Sequence, residues 1–146
     1  MLSRDVRIAV LQQSIDTGEV PTAAEVARRL QIAEASVIDA FRELADRHVY
    51  VLEPGDPTRL RMANPFSAIP TTFAVFARAR RYHGNCVWDA LGIVSLLGGE
   101  GRVETACPDC GARLVLEVSA RQLVSGEGVV HFSVPARQWW DDIVFT

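Results

Sequence analysis

Residues 3–17 place apolar side chains at helical spacing among charged ones: Val6, Ile8, Ala9, Val10, Leu11 and Ile15. The stretch "GEVP" breaks that period. Thr22 then has the chemistry of an N-cap for a second helix carrying Val26, Ala27 and Leu30. After the short turn "QIAEAS" a third helix follows, with Val37, Ile38, Phe41 and Leu44 on one face. The period then changes. "VYVLEPGDPTRLRM" reads as strand, Pro/Gly turn, strand.

Three helices and a hairpin are the order of a winged helix, and "PTAAEVARRLQIAEASVIDAFRELADRHVYVLEPG" resembles the helix-turn-helix domains of bacterial regulators. Charge argues against the DNA binding that this resemblance implies. Residues 1–64 hold eight arginines and ten acids, and the third helix sets Glu34, Asp39, Glu43 and Asp46 against one arginine. Phosphate contacts supply most of the affinity in DNA complexes, and such a face repels them. Nucleic acid is therefore not an expected partner. A structural or dimerising role is, with a homodimer as the partner it allows.

"ANPFSAIPT" (63–71) reads as a Pro-punctuated linker, which divides the chain into a winged-helix-like unit at 1–63 and a second unit at 64–146. In the second unit "TFAVFARA" (72–79) predicts a strand and "RYHG" a turn. Asn85 is an N-cap candidate for a helix from Cys86 to about Leu97, stopped by Gly98-Gly99. Strands are expected at 101–106 and 112–118, joined across "CPDCG". One helical turn at "SARQL", a strand at 128–134, a helical piece at "ARQWWDD" and a last strand "IVFT" complete the pattern. The expected fold class is α+β: a three-helix N-terminal half, then a small antiparallel or mixed sheet packed on a buried helix.

Composition changes this picture little. Apolar residues make up 49% of the 146, enough for an ordinary core. No apolar run approaches the roughly 20 residues of a membrane span, and "MLSRDVRIAV" lacks the apolar stretch of a secretory signal. A cytoplasmic protein with no membrane partner is the expectation. The net charge of −3 gives no general attraction to polyanions.

The three cysteines matter more. Cys86 and Asp89 share a face at the start of the fourth helix, where free N–H groups and the helix dipole favour a thiolate. A thiolate there is a soft-metal ligand and a nucleophile, and Asp89 is placed to pass a proton to whatever the sulfur holds. Packing is the plainer alternative, with Cys86 as a small buried hydrophobe. A second constellation uses the same sulfur. His83-x-x-Cys86 followed by Cys107-x-x-Cys110 has the ligand order of a Cys₃His zinc site. Trp88 is expected to be buried beside its helix, and Trp139 and Trp140 to be core or pocket wall. His48 and His131 read as structural residues in strands. Arg78, Arg80 and Arg81 read as a solvated strand end, or as charges that hold Cys86 ionised.

From Asn64 to Phe145 the chain resembles the organomercurial (alkylmercury) lyase family. The segments that carry the likeness are "NPFSAIPTTF", "YHGNCVWDALGI", "CPDCGARLVLEVS" and "VVHFSVPARQWWDDIVF". The resemblance implies an enzyme in which two thiolates bind the mercury of an organomercurial and an aspartate protonates the carbon. Cys86 matches the first thiolate and Asp89 the acid. No cofactor is implied, only external thiols that remove the metal; zinc belongs to the alternative site. The family's second cysteine lies after the closing "RQ", where this chain has Asp141 and Asp142. Cys107 or Cys110 is then the candidate second thiol. The alternative function is a non-enzymatic zinc- or thiol-metal-binding protein, or a metal-responsive winged-helix regulator.

Overall fold

The computed structural model describes residues 1–144. Helix α1 (Leu2–Thr17) ends on Gly18, whose φ of 84° lets its N–H reach the Ser14 carbonyl at 2.9 Å. Helix α2 (Ala23–Leu30) opens with the cap that Thr22 predicts. The Thr22 Oγ1 accepts the Glu25 N–H and the Glu25 carboxylate accepts the Thr22 N–H at 2.7 Å. Helix α3 (Glu34–Asp46) and the antiparallel pair β1 (Tyr50–Glu53) and β2 (Asp56–Ala63) complete the predicted order. Val6, Val10, Val26, Val37 and Phe41 close this core, with Phe41 edge-on to Tyr50 at 5.9 Å.

The proposed linker is partly strand. The chain reverses at the cis Asn64–Pro65 bond, and β3 (Phe66–Ser67) returns along β2. Phe66 is buried, which ties this short strand to the second core.

That core lies between helix α4 (Val87–Leu96) and a five-stranded antiparallel sheet, order β5-β4-β6-β7-β8. The strands are β4 (Ala74–Ala77), β5 (Arg80–His83), β6 (Gly101–Ala106), β7 (Arg113–Ser119) and β8 (Gln122–Ser125). Ala90, Ile93 and Val94 of the helix meet Val75, Tyr82 and Val103 of the sheet. The α+β class is as expected.

Two expected turns are strands. Arg81, Tyr82 and His83 of "RYHG" belong to β5, and "SARQL" is the β7–β8 hairpin, not a helical turn. Both hairpins turn on two residues at positive φ, Arg78-Ala79 (49° and 58°) and Ala120-Arg121 (49° and 64°). Such turns usually announce themselves with Asn-Gly, and here that signal is missing. The second is held from outside, because the Glu100 carboxylate accepts the Ala120 N–H at 2.5 Å and the Gly99 carbonyl accepts the Arg121 N–H.

No strand forms at 128–134. Gly126 and Gly128 take φ values of 118° and 146°, so the chain leaves the sheet after β8, and Val129 is exposed. A 3₁₀ helix, Ala136–Asp141, occupies the expected helical piece. Of the expected last strand, Ile143 and Val144 lie in a turn, and Phe145 and Thr146 fall outside the described residues. His48 is not in a strand: it sits at φ 59° after α3, its ring stacked on Trp140 at 4.1 Å. His131 is exposed and outside any strand. No helix among the described residues is long and apolar enough to cross a membrane.

α1 joins the two cores. Its Val6 and Val10 face the first, Leu11 and Ile15 the second, and the buried Tyr82 donates its hydroxyl to the Ile15 carbonyl at 2.9 Å.

Candidate functional site at the start of the fourth helix

The backbone fixes this site before its side chains do. Gly84 leads from β5 into α4 and is pinned on three sides. Its N–H goes to the Phe73 carbonyl, its carbonyl accepts the Thr71 hydroxyl at 2.6 Å, and its backbone bridges to Phe66. A Cβ on Gly84 would lie 2.7 Å from the Ala90 nitrogen, so only glycine lets the strand exit pass this close to the helix.

Cys86, not Asn85, is the N-cap of α4. Its backbone is extended and its Sγ accepts the Asp89 N–H at 3.5 Å. Asn85 faces the other way along the same turn. Its Nδ2 donates to the Asp89 Oδ2 at 2.8 Å, and also lies 3.2 Å from the Asn64 Oδ1 and 3.4 Å from the Pro65 carbonyl. The β2–β3 turn thus steadies the amide that orients Asp89. Sequence reasoning saw a cap at Asn85 and missed this role. The available signal was the i,i+4 spacing of Asn85 and Asp89 on a helix start.

Electrostatics correct the expectation of a ready thiolate. Burial pushes the Cys86 thiol up, and the Asp89 carboxylate adds to this, outweighing the N–H groups of Asp89 and Trp88 that favour the anion. Two of the three nearby arginines are engaged elsewhere: Arg78 donates to the Leu97 carbonyl at 2.8 Å and Arg81 lies over the Phe76 ring. Burial also raises Asp89, against the opposing pull of the Asn85 hydrogen bonds. The half-buried thiol therefore sits beside a half-buried carboxyl group, and burial raises the pKa of both. Trp88 is 70% exposed rather than buried, because the pair's side of the first turn faces the protein and Trp88 points away.

The other candidates lie apart. His83 accepts the Thr71 N–H on Nδ1 at 3.1 Å, and burial with the Arg81 charge lowers its pKa. It lines a cleft of about 640 Å³ between the α1–α2 loop, β2 and β5, with Arg59, Ser67 and Arg81 in the same wall. Neither Cys86 nor Asp89 lines that cleft. Cys107 and Cys110 sit in the β6–β7 turn, Cys107 half-buried and Cys110 exposed. Among the described residues no three His, Cys, Asp or Glu side chains converge as a metal site would need. Cys86 and Asp89 are thus not joined by Cys107 or Cys110, nor is the His83, Cys86, Cys107, Cys110 set assembled.

The family comparison falls on this half of the chain, and the structural one extends beyond it. The family model described as MerB, alkylmercury lyase, matches residues 66–146. No curated protein sequence matches. Among solved structures, a crystal structure of the mercury-bound form of MerB2 superposes with a TM-score of 0.63 at 20% identity, over 86% of this chain. The chain spans 66% of that protein's length, just under two thirds. At that identity the likeness speaks for the fold. The family match covers more than half of the sequence, including the Cys86–Asp89 helix, and the chain belongs to the alkylmercury lyase family.

Proposed function

We propose that the chain cleaves a carbon–mercury bond by protonolysis, with Cys86 as the thiolate that holds mercury and Asp89 as the acid. The carrying observation is the pair itself: a thiol at the N-cap of α4 and, three residues on, a carboxyl group oriented by Asn85 and biased by burial toward its protonated form.

The substrate arrives as R–Hg–SR′, the complex of an organomercurial with a small thiol. The Cys86 sulfur displaces R′SH and forms R–Hg–S–Cys86, and the displaced thiol takes the proton that Cys86 loses. Metal coordination offsets the high thiol pKa, since a coordinating thiol is deprotonated outright. A second sulfur then adds to mercury and raises electron density on carbon. Because neither Cys107 nor Cys110 joins Cys86 and Asp89, we assign this sulfur to an external thiol. The Hg–C electron pair takes the Asp89 proton and leaves as R–H. The proton of the incoming thiol restores Asp89, and a further thiol carries mercury away as Hg(SR′)₂. The sequence balances with no cofactor.

Benzene release from phenylmercury in excess small thiol tests this. The wild type should turn over, while Cys86→Ser and Asp89→Ala should each lose at least about a hundredfold, the usual weight of a positioned acid or nucleophile. Release that survives both substitutions would refute the assignment.

A further inference from the structure

The mechanism leaves Cys107 and Cys110 unused, and their turn has a definite construction. Cys107 follows β6 directly and its N–H closes the loop onto the Ala112 carbonyl at 2.9 Å. The Gly111 N–H then folds back to the Cys107 carbonyl at 2.8 Å, with Gly111 at φ 71°. This winding turns the chain back across residues 108–110, so that Cys107 and Cys110 stand three residues apart on one tight turn. Two thiols are thereby presented from one hairpin end. One of them is exposed, so a cation needs no channel to reach them.

We propose that this turn is a binding site of its own for a soft cation that is content with two sulfur ligands, for which mercuric ion is the probe. Thiolates select soft metals. The absence of a third His, Cys, Asp or Glu beside the pair, among the described residues, separates this site from a four-ligand zinc centre. Loading is a ligand exchange without redox change. Hg(SR′)₂ reacts with the thiols of Cys107 and Cys110 to give Cys107–S–Hg–S–Cys110 and two R′SH. Two Hg–S bonds break and two form, and each cysteine proton leaves on a released R′SH. The site stands independently of the reaction assigned to Cys86.

The test uses the full reduced chain carrying Cys86→Ser, so that the reaction centre cannot hold metal. Mercuric ion is supplied as its complex with a monothiol, and the metal retained after desalting is counted. About one equivalent per chain should remain, and it should be lost when Cys107→Ser or Cys110→Ser is added, since two sulfurs are needed for the chelate. Cys110 is exposed and packs in no core, so its variant reports on ligation and not on folding. Retention that persists without both sulfurs would overturn the site, as would no retention in Cys86→Ser alone. Zinc sulfate retained through desalting as firmly as mercuric ion would also overturn the two-coordinate assignment. With Cys86 intact, phenylmercury turnover in Cys110→Ser should stay within about twofold of wild type. A collapse would make the turn part of the reaction centre and not a separate site.

Discussion

Asn85 decides how Asp89 behaves. Its amide donates at 2.8 Å to the carboxyl group and so opposes the effect of burial. Asn85→Ala removes that opposition and lets the Asp89 pKa climb further. Protonolysis needs the protonated acid, so the alkaline limb of the pH–rate profile should move upward, with neutral-pH turnover down about tenfold from lost orientation. A limb that stays in place while turnover falls would mean Asn85 only supports the fold. The same burial bears on stability. Because the folded pKa of Asp89 is raised, the folded chain keeps a proton that the unfolded chain has released, and stability falls as pH rises from the ordinary aspartate range to the folded value. Asp89→Asn keeps an acceptor for Asn85 and removes the buried charge. Its melting temperature should exceed that of wild type at neutral pH and converge with it in acid. A melting curve series across pH checks both halves of that statement.

Among the elements, the hairpins were harder to read than the helices. Thr22 marks the α2 start because a threonine ahead of an apolar helical period is a ready N-cap, and in the structure Glu25 completes a capping box with it. The β4–β5 turn uses Arg78 and Ala79, which have no intrinsic preference for positive φ. What holds them there is tertiary: Arg78 reaches across to the Leu97 carbonyl at the end of α4, and Tyr82 is drawn into the core. Ala79 sits at φ 58° and should gain from Ala79→Gly. A left-handed conformation costs an L residue roughly 1–2 kcal/mol, less the entropy that glycine adds to the unfolded chain. The net should be about 1 kcal/mol of added stability, read from denaturant midpoints at unchanged slope.

At the scale of the molecule, α1 belongs to both cores, and the Tyr82 hydroxyl closes one of the orphan carbonyls at its C-terminal end. Tyr82→Phe should cost about 1 kcal/mol in chemical denaturation, the usual net worth of one such bond. The transition should remain single, because Leu11 and Ile15 still pack on the second core. Two separate transitions in the variant would show that the hydroxyl, and not apolar packing, couples the halves. The acidic face of α3 is what the sequence suggests: Glu34, Asp39, Glu43 and Asp46 are exposed, and Arg42 and Arg47 are engaged by Asp39 and Glu43 on the same helix. Exposed pairs of this kind contribute little stability, and their effect here is to leave few free positive charges.

The sequence by itself determined the helices, the β6–β7 hairpin, the α+β class and the Cys86–Asp89 pair. Each rests on information within a few residues: apolar period, cap chemistry, or a thiol and a carboxyl group one helical turn apart. Tertiary structure decided the rest. It made β5 and β8 strands by holding non-glycine turns at positive φ, and it left 128–134 without a sheet edge. It also turned Asn85 from a presumed cap into the partner of Asp89, and by burial it raised a thiol that its place at a helix start alone would have lowered. The physical reason is common to all four. Local sequence sets which conformations are cheap, whereas desolvation and contacts between residues distant in the chain set which one is occupied.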